Sequence, residues 1–190
     1  MIAAFSTSSP MASVALFRPD MSEWIGYEEP AAQAASGACL HMLLQCLFEW
    51  DATLRDVTFF LADLGPGSFT GVRVGVTLAK MLAFVNGVQA GGVDAFDLID
   101  PAGTAVLPCR RGEWFIRVPG EPPYRSPDLP MASYRGYGGN ICEPVYPRAS
   151  RFALLRSHPV PLPAEALVPR YLIEPSISLP KKPYGADVAR

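Results

Sequence analysis

Histidine, paired cysteines and charge are scarce in this chain of 190 residues. Two histidines (His41, His158) and four widely separated cysteines (Cys39, Cys46, Cys109, Cys142), with no C-x-x-C pair, point to neither a zinc site nor a disulfide scaffold. Charged residues make up 18% of the chain and the formal net charge is −2, the wrong balance for a stand-alone nucleic-acid binder. Long apolar runs are missing too: the longest such stretch, residues 74–93, carries Lys80, Asn86 and Gly87, and none reaches the ~20 uncharged apolar residues of a membrane span. The amino terminus has no basic segment and is interrupted by Ser, Thr and Pro within its first ten residues, a poor match to a signal peptide. The expectation is a soluble, cytoplasmic, thiol-reduced protein that touches no membrane. What the chain does have is 49% apolar residues, enough to bury a sizeable core, which excludes disorder, collagen and coiled coil.

Proline divides the chain, with four in residues 1–100 and sixteen in residues 101–190. Charge divides it as well: the first half sums to −7 and the second to +5. Two units are expected, a main domain over residues 1–100 and a small, irregular, proline-rich subdomain with its tail over residues 101–190. The basic second half leaves tRNA contact open, although Arg110, Arg111, Arg148 and Arg151 are scattered.

In the first half, residues 2–5, 13–17 and 23–27 read as three short strands in an antiparallel meander. Pro30 suits a helix start, and residues 31–50 place apolar side chains at 35, 38, 39, 42, 43, 46 and 47, which is helical spacing. Residues 57–64 form an apolar run typical of a buried strand and end at Gly65-Pro66-Gly67. A second helix, capped by Ser68 or Thr70, runs to Asn86-Gly87, and residues 88–93 return as a strand. The order β-β-β-α-β-α-β predicts an α/β fold of the ribonuclease-H-like kind. In the second half, residues 104–108 and 113–118 predict a hairpin, whereas 119–130 and 159–169 hold too much proline for regular helix or central strand. A tail near Tyr171-Leu172 is expected to pack back on the main body.

The most informative segment is GPGSFTGVRVG, residues 65–75. It matches neither G-x-G-x-x-G nor the P-loop, but a tight turn at a helix start exposes amides near a positive helix end, where an anion could sit. Gly65, Gly67, Ser68, Phe69, Thr70 and Arg73 are the candidate phosphate-facing residues. In the helix, Gly71, Gly75, Ala79 and Ala83 recur every four residues and form a stripe free of large side chains. Glycine in a helix costs roughly 1 kcal/mol relative to alanine, so two of them imply a close packing partner: the helix of residues 31–50 or a helix of another protein. If that neighbour is another protein, the stripe with Val72 and Val76, and with Cys39, Met42 and Leu43 of the first helix, is the candidate partner interface; taken alone, Cys39 and Cys46 read as small core residues. A serine hydrolase would need Ser68 in place of the G-x-S-x-G nucleophile and a histidine within reach, a poor match.

The string Gly65-Pro66-Gly67-Ser68-Phe69-Thr70-Gly71-Val72-Arg73-Val74-Gly75, with Ala79-Lys80 and Leu82-Ala83 after it, resembles the signature of the TsaB (YeaZ) family. Ser13-Val14-Ala15-Leu16 and Gly112-Glu113 fit the same pattern, which is strong over residues 1–100 and faint beyond 118. The resemblance implies an actin-like ATPase (ASKHA) fold and a non-catalytic partner of the TsaD transferase in threonylcarbamoylation of tRNA adenosine next to the anticodon. It implies a heterodimer or homodimer interface made by the first two helices, an indirect link to a TsaE-like ATPase, and ATP or ADP at most at the partner interface. The family's aspartate at the end of the first strand is Ser6 here, and Pro108 stands where its second carboxylate is expected, so no metal ligand set is expected. The alternative is a homodimeric regulator of the same fold that has left tRNA modification, with a hydrolase further behind.

Overall fold

The computed structural model describes residues 1–31, 35–139, 141–155, 157 and 159–172. Within them the chain builds two sheets. The first has the order β3-β2-β1-β4-β5, formed by β1 (Ile2–Ser6), β2 (Met11–Phe17), β3 (Trp24–Pro30), β4 (Phe59–Asp63) and β5 (Gln89–Val93). β1, β2 and β3 form the antiparallel meander, while β1, β4 and β5 run parallel, which requires helical crossovers. Those crossovers are α1 (Ala35–Glu49) and α2 (Phe69–Asn86), the two helices that the apolar spacing anticipates.

Strand alternation sorts the core into two sides. Ala3 and Phe5 of β1 face α1 and α2 together with Val14, Leu16, Phe60 and Ala62. Ile2 and Ala4 face the other way, onto a second cluster with Phe17, Leu61, Leu98 and Phe152. A sheet covered on both faces explains why β1 and β4 are apolar at nearly every position. α2 begins at Ser68, whose Oγ accepts the Gly71 amide at 3.2 Å, and ends at Gly87, whose left-handed φ of 65° suits glycine.

Pro30 differs from expectation. It closes β3 opposite Met11 rather than starting α1, and β3 runs on past residue 27. β3 is an edge strand, so a residue without an N–H interrupts no ladder there. Residues 32–34 lie outside the described residues.

The second sheet has the order β8-β7-β6-β9. Its hairpin of β6 (Thr104–Pro108) and β7 (Trp114–Arg117) is the one the sequence predicts. β8 (Tyr124–Ser126) lies inside the proline-rich stretch, and β9 (Tyr134–Gly136) pairs parallel with β6. Both are three-residue edge strands, short enough to fit between prolines. Helix α3 (Ala95–Ile99) joins the sheets: Leu98 packs into the second cluster, and Phe96 and Ile99 into the core of the second sheet with Leu107, Phe115 and Tyr137.

The tail does return to the main body. Leu162 pairs with Ala90 at the β5 edge, Ala164 and Leu167 enter the main core, and the Arg170 amide donates to the Leu64 carbonyl at 2.8 Å. Tyr171 rests on Phe69 with ring centroids 5.2 Å apart.

Candidate functional site

The small stripe of α2 faces inward. Gly75, Ala79 and Ala83 are buried with Val72 and Val76 against the chain's own sheet, and Gly71 abuts the Thr7 carbonyl. A Cβ on Gly75 would stand 2.6 Å from Thr7 Oγ1. That hydroxyl accepts the Gly75 amide at 3.0 Å and donates to the Gly71 carbonyl at 2.6 Å, pinning the helix to the loop after β1. The close neighbour of the two glycines within the chain is β1 and its loop rather than α1. Cys39, Met42 and Leu43 of α1 are buried in the same core. Of the residues offered above as a partner interface, Val72, Gly75, Val76, Ala79, Ala83, Cys39, Met42 and Leu43 are buried in the chain's own core and Gly71 is half-buried against the Thr7 loop, because the side of each helix that tolerates close approach is the side the sheet occupies.

The opposite sides of both helices are open and apolar. On α1, Leu40, Leu44 and Phe48 follow one another at four-residue intervals and are exposed, Phe48 by 86%. On α2, Met81, Phe84 and Val85 are exposed, Phe84 by 75%. Both helices return antiparallel to the strands they connect, so they run parallel to each other in contact on one face of the sheet. Phe48 and Phe84 consequently lie near the same helix ends. Isolated exposed apolar residues are ordinary, but six large ones on two touching helices form a patch that calls for a partner. The sequence does hold a signal for this: α2 is apolar nearly all round, so a face turned to the sheet leaves another uncovered.

The Gly65–Ser68 turn is packed rather than open. The Gly65 amide donates to Asp63 Oδ1 at 2.9 Å, the Ser68 amide to the Ser8 carbonyl at 2.7 Å, and the Gly71 amide to Ser68 Oγ. Gly65 has a φ of 86°, and Gly67 sits on the Ser8 carbonyl where a Cβ could not fit. Beside the turn, Ser8, Ser9, Pro10, Gly67, Ser68, Pro108 and Tyr137 line a cavity of about 330 Å³ between the two sheets. Phe69 and Arg73 turn away from it: the Arg73 guanidinium lies 5.2 Å from the Phe69 ring, and both face the tail across a hollow shared with Thr77, Lys80, Pro169 and Tyr171.

This donor set does not fit a nucleotide with its magnesium ion. Three of the loop's amides are engaged within the chain, and Asp63 is enclosed by its own hydrogen bonds. Among the described residues no three His, Cys, Asp or Glu side chains converge as metal ligands. Nor is a hydrolase favoured, since Ser68 Oγ caps α2 and His41 is exposed on α1. His158 lies outside the described residues.

Asp63 is the residue the sequence reading passes over. It is 1% exposed at the end of β4, and burial pushes its carboxyl above the ordinary value of 3.8. Asp94 is also raised, chiefly by burial, with Arg170 opposing at 3.1 Å.

Comparison with known proteins bears on this geometry. The family model of TsaD, the tRNA N6-adenosine threonylcarbamoyltransferase, matches residues 29–99, which include α1, β4, α2 and β5. The tRNA threonylcarbamoyladenosine biosynthesis protein TsaB of Bacillus subtilis is 31% identical over 121 residues, 59% of this chain and 52% of that protein. This chain is similar to TsaB. The family resemblance read from the glycine-rich motif is borne out, and the match spans about half the length of the curated TsaB relative. In three dimensions, YeaZ from Pseudomonas aeruginosa superposes with a TM-score of 0.71 at 21% identity, covering 90% of this chain and 99% of that one. A second solved structure is described as an uncharacterized protein with similarity to peptidase YeaZ from Pseudomonas aeruginosa. It gives a TM-score of 0.73 at 21% identity, with the same coverage. Both likenesses show a shared mixed α/β fold. Among the described residues no helix is long and apolar enough to cross a membrane.

Proposed function

We propose that this chain is a TsaB-type, non-catalytic subunit in biosynthesis of threonylcarbamoyladenosine in tRNA, and that it docks a TsaD-like transferase on the outer face of α1 and α2. The observation that carries the reading is the exposed apolar patch of Leu40, Leu44, Phe48, Met81, Phe84 and Val85. The sequence similarity to TsaB supplies the pathway. Catalytic groups reside in the transferase, and this chain supplies shape and apolar area. It holds no nucleotide alone, contacts a TsaE-like ATPase only through the transferase, and leaves tRNA to its partners.

Burying one aromatic side chain is worth about 2–3 kcal/mol, and buried aromatic anchors dominate interfaces of this kind. Removing two should weaken association by about 4 kcal/mol, on the order of a thousandfold. The test is co-expression of a TsaD-type transferase with the chain carrying Phe48→Asp and Phe84→Asp. The expected result is loss of co-purification with an unchanged melting curve of the isolated variant. Wild-type recovery of the complex overturns the assignment. Size-exclusion chromatography without the transferase distinguishes the homodimeric regulator: a stable self-dimer that excludes the transferase, broken by the same substitutions, would replace the heterodimer.

A further inference from the structure

Asp63 stands at the joint between the first sheet and the segment that enters the 3₁₀ turn Ala149–Leu154. Its Oδ1 accepts the Gly65 amide, and its Oδ2 meets the hydroxyls of Ser6, at 2.8 Å, and Ser8. Ser6 Oγ has a second oxygen neighbour, the Pro147 carbonyl, at 2.9 Å. A serine hydroxyl carries one proton. If Asp63 is ionised, that proton belongs to the carboxylate, and the Pro147 oxygen confronts the lone pairs of Ser6 in a buried place. If Asp63 is neutral, Oδ2–H donates to Ser6 Oγ, Ser6 O–H donates to the Pro147 carbonyl, and Ser8 donates to Oδ2. Only the second arrangement gives every contact a proton.

We infer that Asp63 is kept as a neutral carboxylic acid and that Asp63–Ser6–Pro147 is a proton-dependent latch joining the first sheet to the Ala149–Leu154 turn. Burial is the largest influence and favours the neutral acid, outweighing the hydrogen bonds from Ser8, Gly65 and Ser6, which favour the anion. From the β5–α3 junction the charged neighbour is Asp94, which opposes a second negative charge, and from the segment after β9 the titratable neighbour is Tyr137, a phenol that burial keeps neutral. Arg148, next to Pro147, is turned to Glu28 at 3.0 Å. Ser13 Oγ accepts the Ala149 amide at 2.9 Å, a neighbouring stitch that needs no titrating group. Loss of the Asp63 proton therefore releases Pro147 while the Ala149 stitch remains. The latch is independent of the two-helix face.

A group whose folded pKa is raised lends stability that is complete below the unfolded pKa, near 4, and lost as pH rises through the folded pKa. The stability of the wild type relative to Asp63→Asn should thus fall as pH rises above about 4, by up to a tenfold change in the folding constant per pH unit, and level off above the folded midpoint. The direct test is infrared difference spectroscopy at pH 5.5, where an ordinary aspartate is ionised. A carboxylic-acid carbonyl band is expected in the wild type, lost in Asp63→Asn and kept in Asp94→Asn. No band, or a band that disappears with Asp94→Asn instead, overturns the inference. Should Asp63→Asn fail to fold, the carboxyl carbon shift of Asp63 in the wild-type protein decides: a protonated shift at pH 5.5 supports the latch, and an ionised one refutes it.

Discussion

Replacing Gly75 by alanine should damage the fold and leave the outer helix face untouched. The added Cβ meets Thr7 Oγ1 at 2.6 Å, so the hydroxyl that holds both the Gly75 amide and the Gly71 carbonyl must move. Two hydrogen bonds at about 1 kcal/mol each and an overpacking cost of about 1–3 kcal/mol stand against about 1 kcal/mol of recovered helix propensity. The net loss is about 2–4 kcal/mol. For a chain of this length each kcal/mol lowers the melting temperature by about 2–4 °C, so the variant should melt on the order of 10 °C below the wild type. Circular dichroism during heating and urea titration reads the change, with Phe84→Ala as a control that should melt with the wild type because its side chain faces solvent. If Gly75→Ala melts with the wild type, the stripe does not lie against the Thr7 loop and the orientation of α2 is wrong. Gly75→Leu should be worse still, and any loss of partner binding it causes will follow unfolding.

Leu167→Ala, in the returning tail, should cost about 2–5 kcal/mol in urea unfolding, because Leu167 is 1% exposed in the main core; a loss under 1 kcal/mol would make the tail a surface attachment. Arg170→Ala should cost less than about 1 kcal/mol, since its pair with Asp94 is partly exposed. Burial pushes the Cys39 thiol up to about 12 and the Cys46 thiol up to about 11. At pH 8 the thiolate fraction of each is about one in a thousand or less, so neither should react with a disulfide reagent until denaturant is added. Rapid labelling of either in the native protein would contradict their place on the buried side of α1.

The order of the first seven elements could be read from the sequence because each carries its own local signal: short apolar runs separated by turn residues in the meander, three- and four-residue spacing in the helices, Ser68 and Gly87 at the ends of α2. That α2 would leave some apolar face uncovered was legible, but which side of the two helices turns outward was not. Gly71, Gly75, Ala79 and Ala83 announce a close neighbour, but a stripe of small residues is the same whether that neighbour is a strand of the same sheet or another molecule. The strands Tyr124–Ser126 and Tyr134–Gly136 are three residues long, too short for periodicity to register, and are held by pairing with β7 and β6 from far along the chain. Asp63 gives no pattern at all. A single acid closing an apolar run looks like a strand end, and its company of Ser6, Ser8 and Pro147 exists only after β1 and β4 pair.

The returning tail has a consequence for how the chain is made. Ala164 and Leu167 fill the same core as Phe5 and Val76, and Leu162 covers the β5 edge. The first sheet therefore cannot finish when its own hundred residues have left the ribosome. It must wait with one border uncovered until nearly seventy further residues have been synthesised, a stretch rich in proline. A nascent chain arrested before residue 162 should expose that border to chaperones, and release of the last segment closes it.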